Sequence, residues 1–207
     1  MTKTIFVTAT GTNVGKTYTT LKLMELFASS GVRAVPFKPI ETGVGDAPLD
    51  ASALLEKYKE LYRDDTLTID DVCLYKFSLP AAPYVAASGL DICISAISQR
   101  LDKLKSVADV VLIEGAGGLF VPIKANYFMI DMAKEFADMV VLVSHTGLGC
   151  INDAILSDNA LLASKIPYIA VFNRRDGDDF DLVSKPFLKN YFDTVAELKD
   201  LKTALKI

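Results

Sequence analysis

Three consecutive residues, Gly15-Lys16-Thr17, are of the types that hold polyphosphate. They close the segment Ala9-Thr-Gly-Thr-Asn-Val-Gly-Lys-Thr17, which lies between a strand-like run and a helix-like one. In such a turn the backbone N–H groups of Thr12, Asn13, Val14, Gly15, Lys16, Thr17 and Tyr18 point at phosphate oxygens. The helix N-terminus adds a favourable dipole. Lys16 can reach the β- and γ-phosphates of ATP, and the Thr17 hydroxyl can ligate Mg²⁺. The usual spacing puts a glycine at position 10, yet Thr10 stands there and the glycine falls at Gly11. The competing reading is a tight turn with a solvated lysine; the strand before and the helix after favour the phosphate cradle.

A second constellation is Asp109-Val-Val-Leu-Ile-Glu-Gly-Ala-Gly-Gly118, an apolar strand ending in a carboxylate and four small residues. An acid at a strand end beside a P-loop strand is where a Mg²⁺ ligand belongs, so Glu114 is a metal candidate. Gly115, Ala116 and Gly117 let backbone approach a nucleotide closely. Alone, Glu114 could equally be a turn or cap acid.

These groups need a frame. Strands are predicted at Thr4–Ala9, Ala34–Lys38, Val107–Glu114, Met139–Ser144 and Tyr168–Asn173, with helices at Lys16–Ser29, Asp50–Tyr62, Asp91–Lys105, Ile130–Phe136 and Ile151–Ser164. Leu21, Met24 and Phe27 fall three apart and predict one buried helix face, which Gly31 then ends. Doubly apolar strands alternating with helices predict a single α/β P-loop domain over residues 1–207, with a mostly parallel sheet covered on both faces. Ligands of such a sheet sit at the carboxyl ends of its strands. Five polar or glycine-rich stretches follow the strand ends: Thr10–Thr17, Pro39–Gly45, Glu114–Gly118, Ser144–Asn152 and Asn173–Gly177. All five are expected on one edge.

The bulk properties narrow the classes. The chain of 207 residues suits one domain. A net charge of −4 argues against a nucleic-acid partner, which needs a clustered basic surface. Three widely spaced cysteines and a single histidine argue against a zinc site and fit a reducing, cytoplasmic home. No apolar run is long enough to cross a bilayer, and the first residues carry no signal-peptide pattern.

Along nearly its whole length the chain resembles the dethiobiotin synthetase family. The matching pieces are Thr10-Gly-Thr-Asn-Val-Gly-Lys-Thr17, Phe37-Lys-Pro-Ile-Glu-Thr-Gly43, Asp50-Ala, Pro80-Ala-Ala-Pro83, Glu114-Gly-Ala-Gly-Gly118 and Gly147-Leu-Gly-Cys-Ile-Asn152. The resemblance implies an ATP- and Mg²⁺-dependent cyclo-ligase of biotin biosynthesis. It would carboxylate 7,8-diaminononanoate with carbon dioxide and close a ureido ring through a phosphorylated carbamate.

It also implies roles. Lys38 and Lys16 would be catalytic, and Thr17, Asp50 and Glu114 would bind the metal. Asn173 would contact the base. Thr10, Thr42, Gly117 and the stretch Leu148, Gly149, Cys150 and Asn152 would meet the substrate, the last four from the partner across a homodimer interface. Ala9 and Asn13 depart from the family pattern, which usually has a glycine and often an acid at those positions. By residue type alone Lys38 reads as a solvated charge, Asp50 as a helix cap, Thr42 as turn chemistry and Cys150 as packing.

Two rival readings share the P-loop. Corrinoid-modifying amidoligases normally carry a glutaminase domain with a Cys-His-Glu set, which a chain with only His145 does not supply. A switch ATPase of the ParA/MinD type usually places an extra lysine early in the P-loop, where this chain has Ala9-Thr-Gly. Its best support is the lysine-rich, helix-like tail from Tyr191 to Ile207, weakly amphipathic from Leu198 onward.

Overall fold

The run Lys3–Ala9 is rich in β-branched and aromatic residues, and six of its seven side chains are buried. It forms the strand around which the molecule is organised. The structure, a computed structural model, describes residues 2–175 and 177–205. Met1, Asp176 of the Asn173–Gly177 stretch, and the last two tail residues, Lys206 and Ile207, lie outside the described residues.

From β1 (Lys3–Ala9) the chain runs through α1 (Lys16–Ser29), β2 (Ala34–Phe37) and the short β3 (Ile40–Thr42). Then come α2 (Leu49–Tyr62), α3 (Ile69–Val72), β4 (Tyr75–Phe77), α4 (Pro83–Ala86) and α5 (Ile94–Lys105). β5 (Val110–Gly118) leads to a small hairpin of β6 (Pro122–Lys124) and β7 (Tyr127–Phe128), then to α6 (Met129–Phe136) and β8 (Met139–His145). The chain closes with α7 (Cys150–Ser164), β9 (Tyr168–Asn173), α8 (Phe180–Val183), α9 (Lys185–Tyr191), β10 (Ala196–Glu197), a 3₁₀ turn and α10 (Leu201–Leu205).

The main sheet has six strands in the order β10-β9-β8-β1-β5-β2, every neighbouring pair parallel. The expected α/β fold with a parallel central sheet is therefore present. The chain moves to opposite sides of β1, toward β5 and β2 one way and toward β8, β9 and β10 the other. The loop after β1 thus lies at the switch in strand order, where ligands of such sheets bind. Val111, Leu112, Ile113, Val141 and Leu142 are fully buried in the strands flanking it. Each such side chain contributes about 1.5–3 kcal/mol relative to exposure. Among the described residues no helix is long and apolar enough to cross a membrane.

α1 ends as expected. Gly31 has φ +75°, Val32 N–H reaches Phe27 O at 2.9 Å and Gly31 N–H reaches Ala28 O at 3.0 Å. This is the paired closure that a left-handed glycine permits.

Several expectations need correction. Leu21 is only partly buried; Leu23 takes the core position with Met24 and Phe27, because the buried stripe turns toward the sheet by more than a strict three-residue step allows. The strand expected at Val107–Glu114 runs from Val110 to Gly118, so the glycines lie inside it. The helix expected from Asp91 starts at Ile94. Among its described residues the tail is not one helix: Tyr191 closes α9, Ala196 and Glu197 pair in parallel with Val171 and Phe172, and α10 covers Leu201–Leu205.

Candidate active site

The site begins with a change of register. Val7 stands opposite Glu114 but Ala9 stands opposite Gly118, so β5 uses four residues where β1 uses two. The extra length opens the Gly115–Gly117 segment beside the P-loop. A β-carbon on Gly115 would come within 2.9 Å of the Phe6 ring, and Gly117 sits at φ +69°. A side chain at Gly115 would push β5 away from β1, and one at Gly117 would strain the backbone and crowd Val121.

Next to that opening Gly15, the N-cap of α1, has φ +105°. Lys16 follows, buried, and its Nζ donates to Gly11 O at 3.0 Å across the loop. Burial, together with the nearby Lys38 ammonium, lowers the Lys16 pKa to about 8, although Glu114 and Asp50 pull it upward. Such an ammonium is short of partners and suited to an incoming phosphate.

Glu114 is completely buried at the end of the straight part of β5. Its Oε1 accepts from Thr17 Oγ1 at 2.9 Å and from Lys38 Nζ at 2.6 Å, and its Oε2 accepts from Thr20 Oγ1 at 2.8 Å. Lys38, 3% exposed, also donates to Asp50 Oδ2 at 3.0 Å. Burial works to lower the Lys38 pKa, but Glu114 and Asp50 outweigh it and hold the ammonium charged well above its ordinary range. Burial likewise works to raise Asp50, and Lys38, with help from Thr17, outweighs it and holds that carboxyl below its ordinary value. Lys38 is thus a buried, paired cation, not the solvated charge its residue type suggests.

Asp50 also departs from the helix-cap reading. The N-cap of α2 is Pro48, and the amides of Asp50 and Ala51 are taken by Glu41, at 3.0 and 2.9 Å. Sequence reasoning did not single out Glu41. The signal was a proline at the position where a capping side chain belongs, with a carboxylate nine residues before the helix acid.

These groups face a cavity of about 670 Å³. Of the residues expected at the site, Thr12, Asn13, Gly15, Lys16, Thr17, Tyr18, Lys38, Thr42, Asp50, Ala116 and Gly117 line it, joined by Glu41 and Pro80–Pro83. Glu114 lies beneath its floor, held by the three bonds above. Thr10 lines a neighbouring cavity of about 360 Å³ with Gly118, Phe120, Asp153 and Leu156. The Thr10 hydroxyl is buried without a hydrogen-bond partner.

The remaining expectations fall elsewhere. Of the later two stretches, His145, Gly147 and Arg175 lie on the other side of the P-loop, around a hollow of about 250 Å³ that Thr12, Asn13, Val14 and Asp178 also line. The five stretches therefore share an edge of the sheet but divide between two sides of one loop. Asn173 Nδ2 donates to Val14 O at 2.9 Å, so its amide is engaged with the P-loop backbone. His145 pairs with Asp153 at 3.1 Å. Leu148 is 93% exposed, while the Cys150 side chain is fully buried in a satellite core with Phe172, Phe180 and Leu188. Leu148, Gly149, Cys150 and Asn152 do not line the main cavity within one chain.

Among the described residues no group of three or more His, Cys, Asp or Glu side chains is arranged to hold a metal ion. A metal here would draw on fewer carboxylates plus hydroxyl and phosphate oxygens. Asp50 and Glu114 both accept from the Lys38 ammonium and Thr17 Oγ1 donates to Glu114, so the three side chains form one connected all-oxygen set of the kind that fits Mg²⁺.

A parallel sheet with a lysine- and threonine-bearing phosphate loop at its switch point defines a P-loop domain. The family model described as an AAA domain matches residues 3–203. The chain is 44% identical over 190 residues to the ATP-dependent dethiobiotin synthetase BioD of Sulfurovum sp. (strain NBC37-1), across 91% of this chain and 90% of that protein. It is 38% identical to the protein of the same name from Wolinella succinogenes, across 98% of each. The chain belongs to the ATP-dependent dethiobiotin synthetase family, and so to the ATP-dependent ligases. A plasmid partition protein from Borrelia burgdorferi has the same fold, with a TM-score of 0.61 at 13% identity over 95% of this chain and 90% of that one. At that identity the likeness concerns the fold alone.

Proposed function

We propose that the protein carboxylates 7,8-diaminononanoate and closes its ureido ring, consuming ATP and releasing ADP and phosphate. The observation that carries this reading is the pair of buried lysines over one cavity, Lys16 from the phosphate loop and Lys38 from the end of β2. A carbamate and a γ-phosphoryl group are both anionic, and bringing them together needs fixed positive charge in a site sheltered from water.

In the proposed sequence one substrate amine attacks carbon dioxide and loses a proton, giving a carbamate. A carbamate oxygen attacks the γ-phosphorus and ADP leaves. The second amine attacks the carbonyl carbon, phosphate leaves with the C–O bond, and the nitrogen gives up its proton as the ring closes. Lys38 holds the carbamate and the phosphoryl group in transit; Lys16 holds the β- and γ-phosphate oxygens. Thr12 to Tyr18 and Gly115 to Gly117 enclose the phosphates, and Thr42 and Thr10 offer hydroxyls to the substrate. Thr17, Asp50 and Glu114 would hold Mg²⁺, which when bound neutralises phosphate charge. No side chain is needed as a nucleophile.

The same reading has two copies meeting as a homodimer, with Leu148, Gly149, Cys150 and Asn152 of each completing the other's substrate site. The exposure of Leu148 supports it. Three free cysteines suit a reducing cytoplasm. Neither a nucleic acid nor a membrane is a partner in this reading.

The test is phosphate release from ATP and Mg²⁺, with and without 7,8-diaminononanoate and bicarbonate. Release that depends on the diamine, with a cyclic urea formed in equal amount by mass spectrometry, is the expected result. Release indifferent to the diamine would replace the synthetase reading with that of a switch ATPase.

A further inference from the structure

A helix whose N-cap is proline has no side-chain acceptor of its own for its first amides. α2 is in that position, with Pro48 at the N-cap and Asp50 in the first turn. Unmet amides at a helix start must find partners elsewhere. Two of them do so across the fold: Glu41 on β3 takes the Asp50 N–H on Oε1 at 3.0 Å and the Ala51 N–H on Oε2 at 2.9 Å. Glu41 is 6% exposed and lines the same cavity as Lys38 and Asp50.

The consequence falls on Asp50. An aspartate in the first turn of a helix can fold back onto neighbouring amides. Here those amides are already bonded, and the Asp50 carboxylate is turned to Lys38 at 3.0 Å. Its backbone N–H is one of the two groups that Glu41 holds, so the carboxylate of one acid is located by that of another.

We propose that Glu41 is a positioning residue for metal–nucleotide binding, which by capping α2 from β3 fixes Asp50 at the edge of the cavity. The inference rests on the reading of Asp50 as a metal ligand. Both Glu41 carboxylate oxygens are taken by the α2 amides, so in this proposal it acts through Asp50. A carboxylate that did nothing but cap would affect helix stability and leave metal binding alone.

The experiment compares Glu41→Gln, Asp50→Asn and the double variant. Mn²⁺ binding is followed by electron paramagnetic resonance with a non-hydrolysable ATP analogue present, alongside thermal unfolding and the Mg²⁺ dependence of turnover. Glu41→Gln is expected to weaken Mn²⁺ binding about tenfold or more, as loss of a group that orients a metal ligand typically does. Turnover should recover at saturating Mg²⁺. In the Asp50→Asn background Glu41→Gln should add no further loss, because the two act as one unit. Glu41→Asp, with both acceptors on an arm one carbon shorter, gives the same comparison should the amide variant not fold. A lower unfolding temperature with unchanged Mn²⁺ affinity would reduce Glu41 to a cap, and an additive loss in the double variant would detach it from Asp50; either overturns the inference alone. Unchanged affinity in Asp50→Asn would remove the metal role of Asp50 and the inference with it.

Discussion

Gly15 and Asn173 are fitted to each other: a β-carbon on Gly15 would stand 2.1 Å from Asn173 Nδ2. The asparagine spends that amide on Val14 O, so the last residue of β9 braces the loop that follows β1. Gly15→Ala must both displace this brace and hold alanine at φ +105°, a conformation that costs about 1–3 kcal/mol outside glycine. It is expected to lower the unfolding temperature and to abolish measurable ATP binding by calorimetry. Asn173→Ala removes the brace without the strain, and should weaken ATP binding less.

The two lysines should separate stability from catalysis. Lys38→Ala leaves the fully buried Glu114 without its closest cation, and breaking a buried pair costs about 3–5 kcal/mol. Lys16→Ala removes one bond to Gly11 O and relieves a desolvated charge, so its folding stability should change little. Both should lose about 10²-fold or more in diamine-dependent phosphate release, the scale for losing a charge aimed at the transition state. Denaturant melts beside steady-state rates make the check; near-normal turnover in both variants would remove the mechanism.

Acid should act through Asp64. Thr66 donates to it from hydroxyl and backbone, Arg33 and Tyr58 add their own bonds, and the carboxyl is held far below its ordinary value. A carboxylate lowered in the folded state contributes stability above its unfolded pKa, about 3.8, which is lost as pH falls through and below that value. Asp64→Asn is therefore expected to melt below wild type at about pH 7, with the gap beginning to narrow only below about pH 4 and most of it still present at about pH 3. A gap that stays constant with pH would show that the carboxylate charge is not what matters.

The three cysteines should differ sharply toward a thiol reagent. Burial pushes the Cys73 thiol up to about 12, and Cys150 is enclosed by Phe172 and Phe180. Cys93 is exposed, and the Ser95 hydroxyl with the Ala96 amide holds its thiol below the ordinary value. Native protein should release one equivalent of thionitrobenzoate from Ellman's reagent, and unfolded protein three.

Much of this was readable from the chain because the signals are local. The P-loop, the closure of α1 at Gly31 and the strand periods of β1, β8 and β9 depend on residues within a few positions of each other. Pro48 signalled a helix start in need of an acceptor, but Glu41 is identified as that acceptor only once β3 is placed, since its partners lie nine and ten residues on. β10 was hidden because two residues carry no period, and its strand character comes from pairing with Val171 and Phe172. The glycines of β5 read as a turn because glycine is poor in strands; the register shift against β1 is a tertiary event that overrides that preference. Residue types at Lys38 and Asp50 pointed to solvent and cap; burial and a distant carboxylate changed both.

The sheet ends abruptly on both sides. β10 offers two residues, and β2 offers four, one of them Pro36, which has no N–H to give. An extended segment arriving at either margin finds little main chain to ladder onto. The main sheet is thus poorly built to grow strand by strand from one molecule to the next.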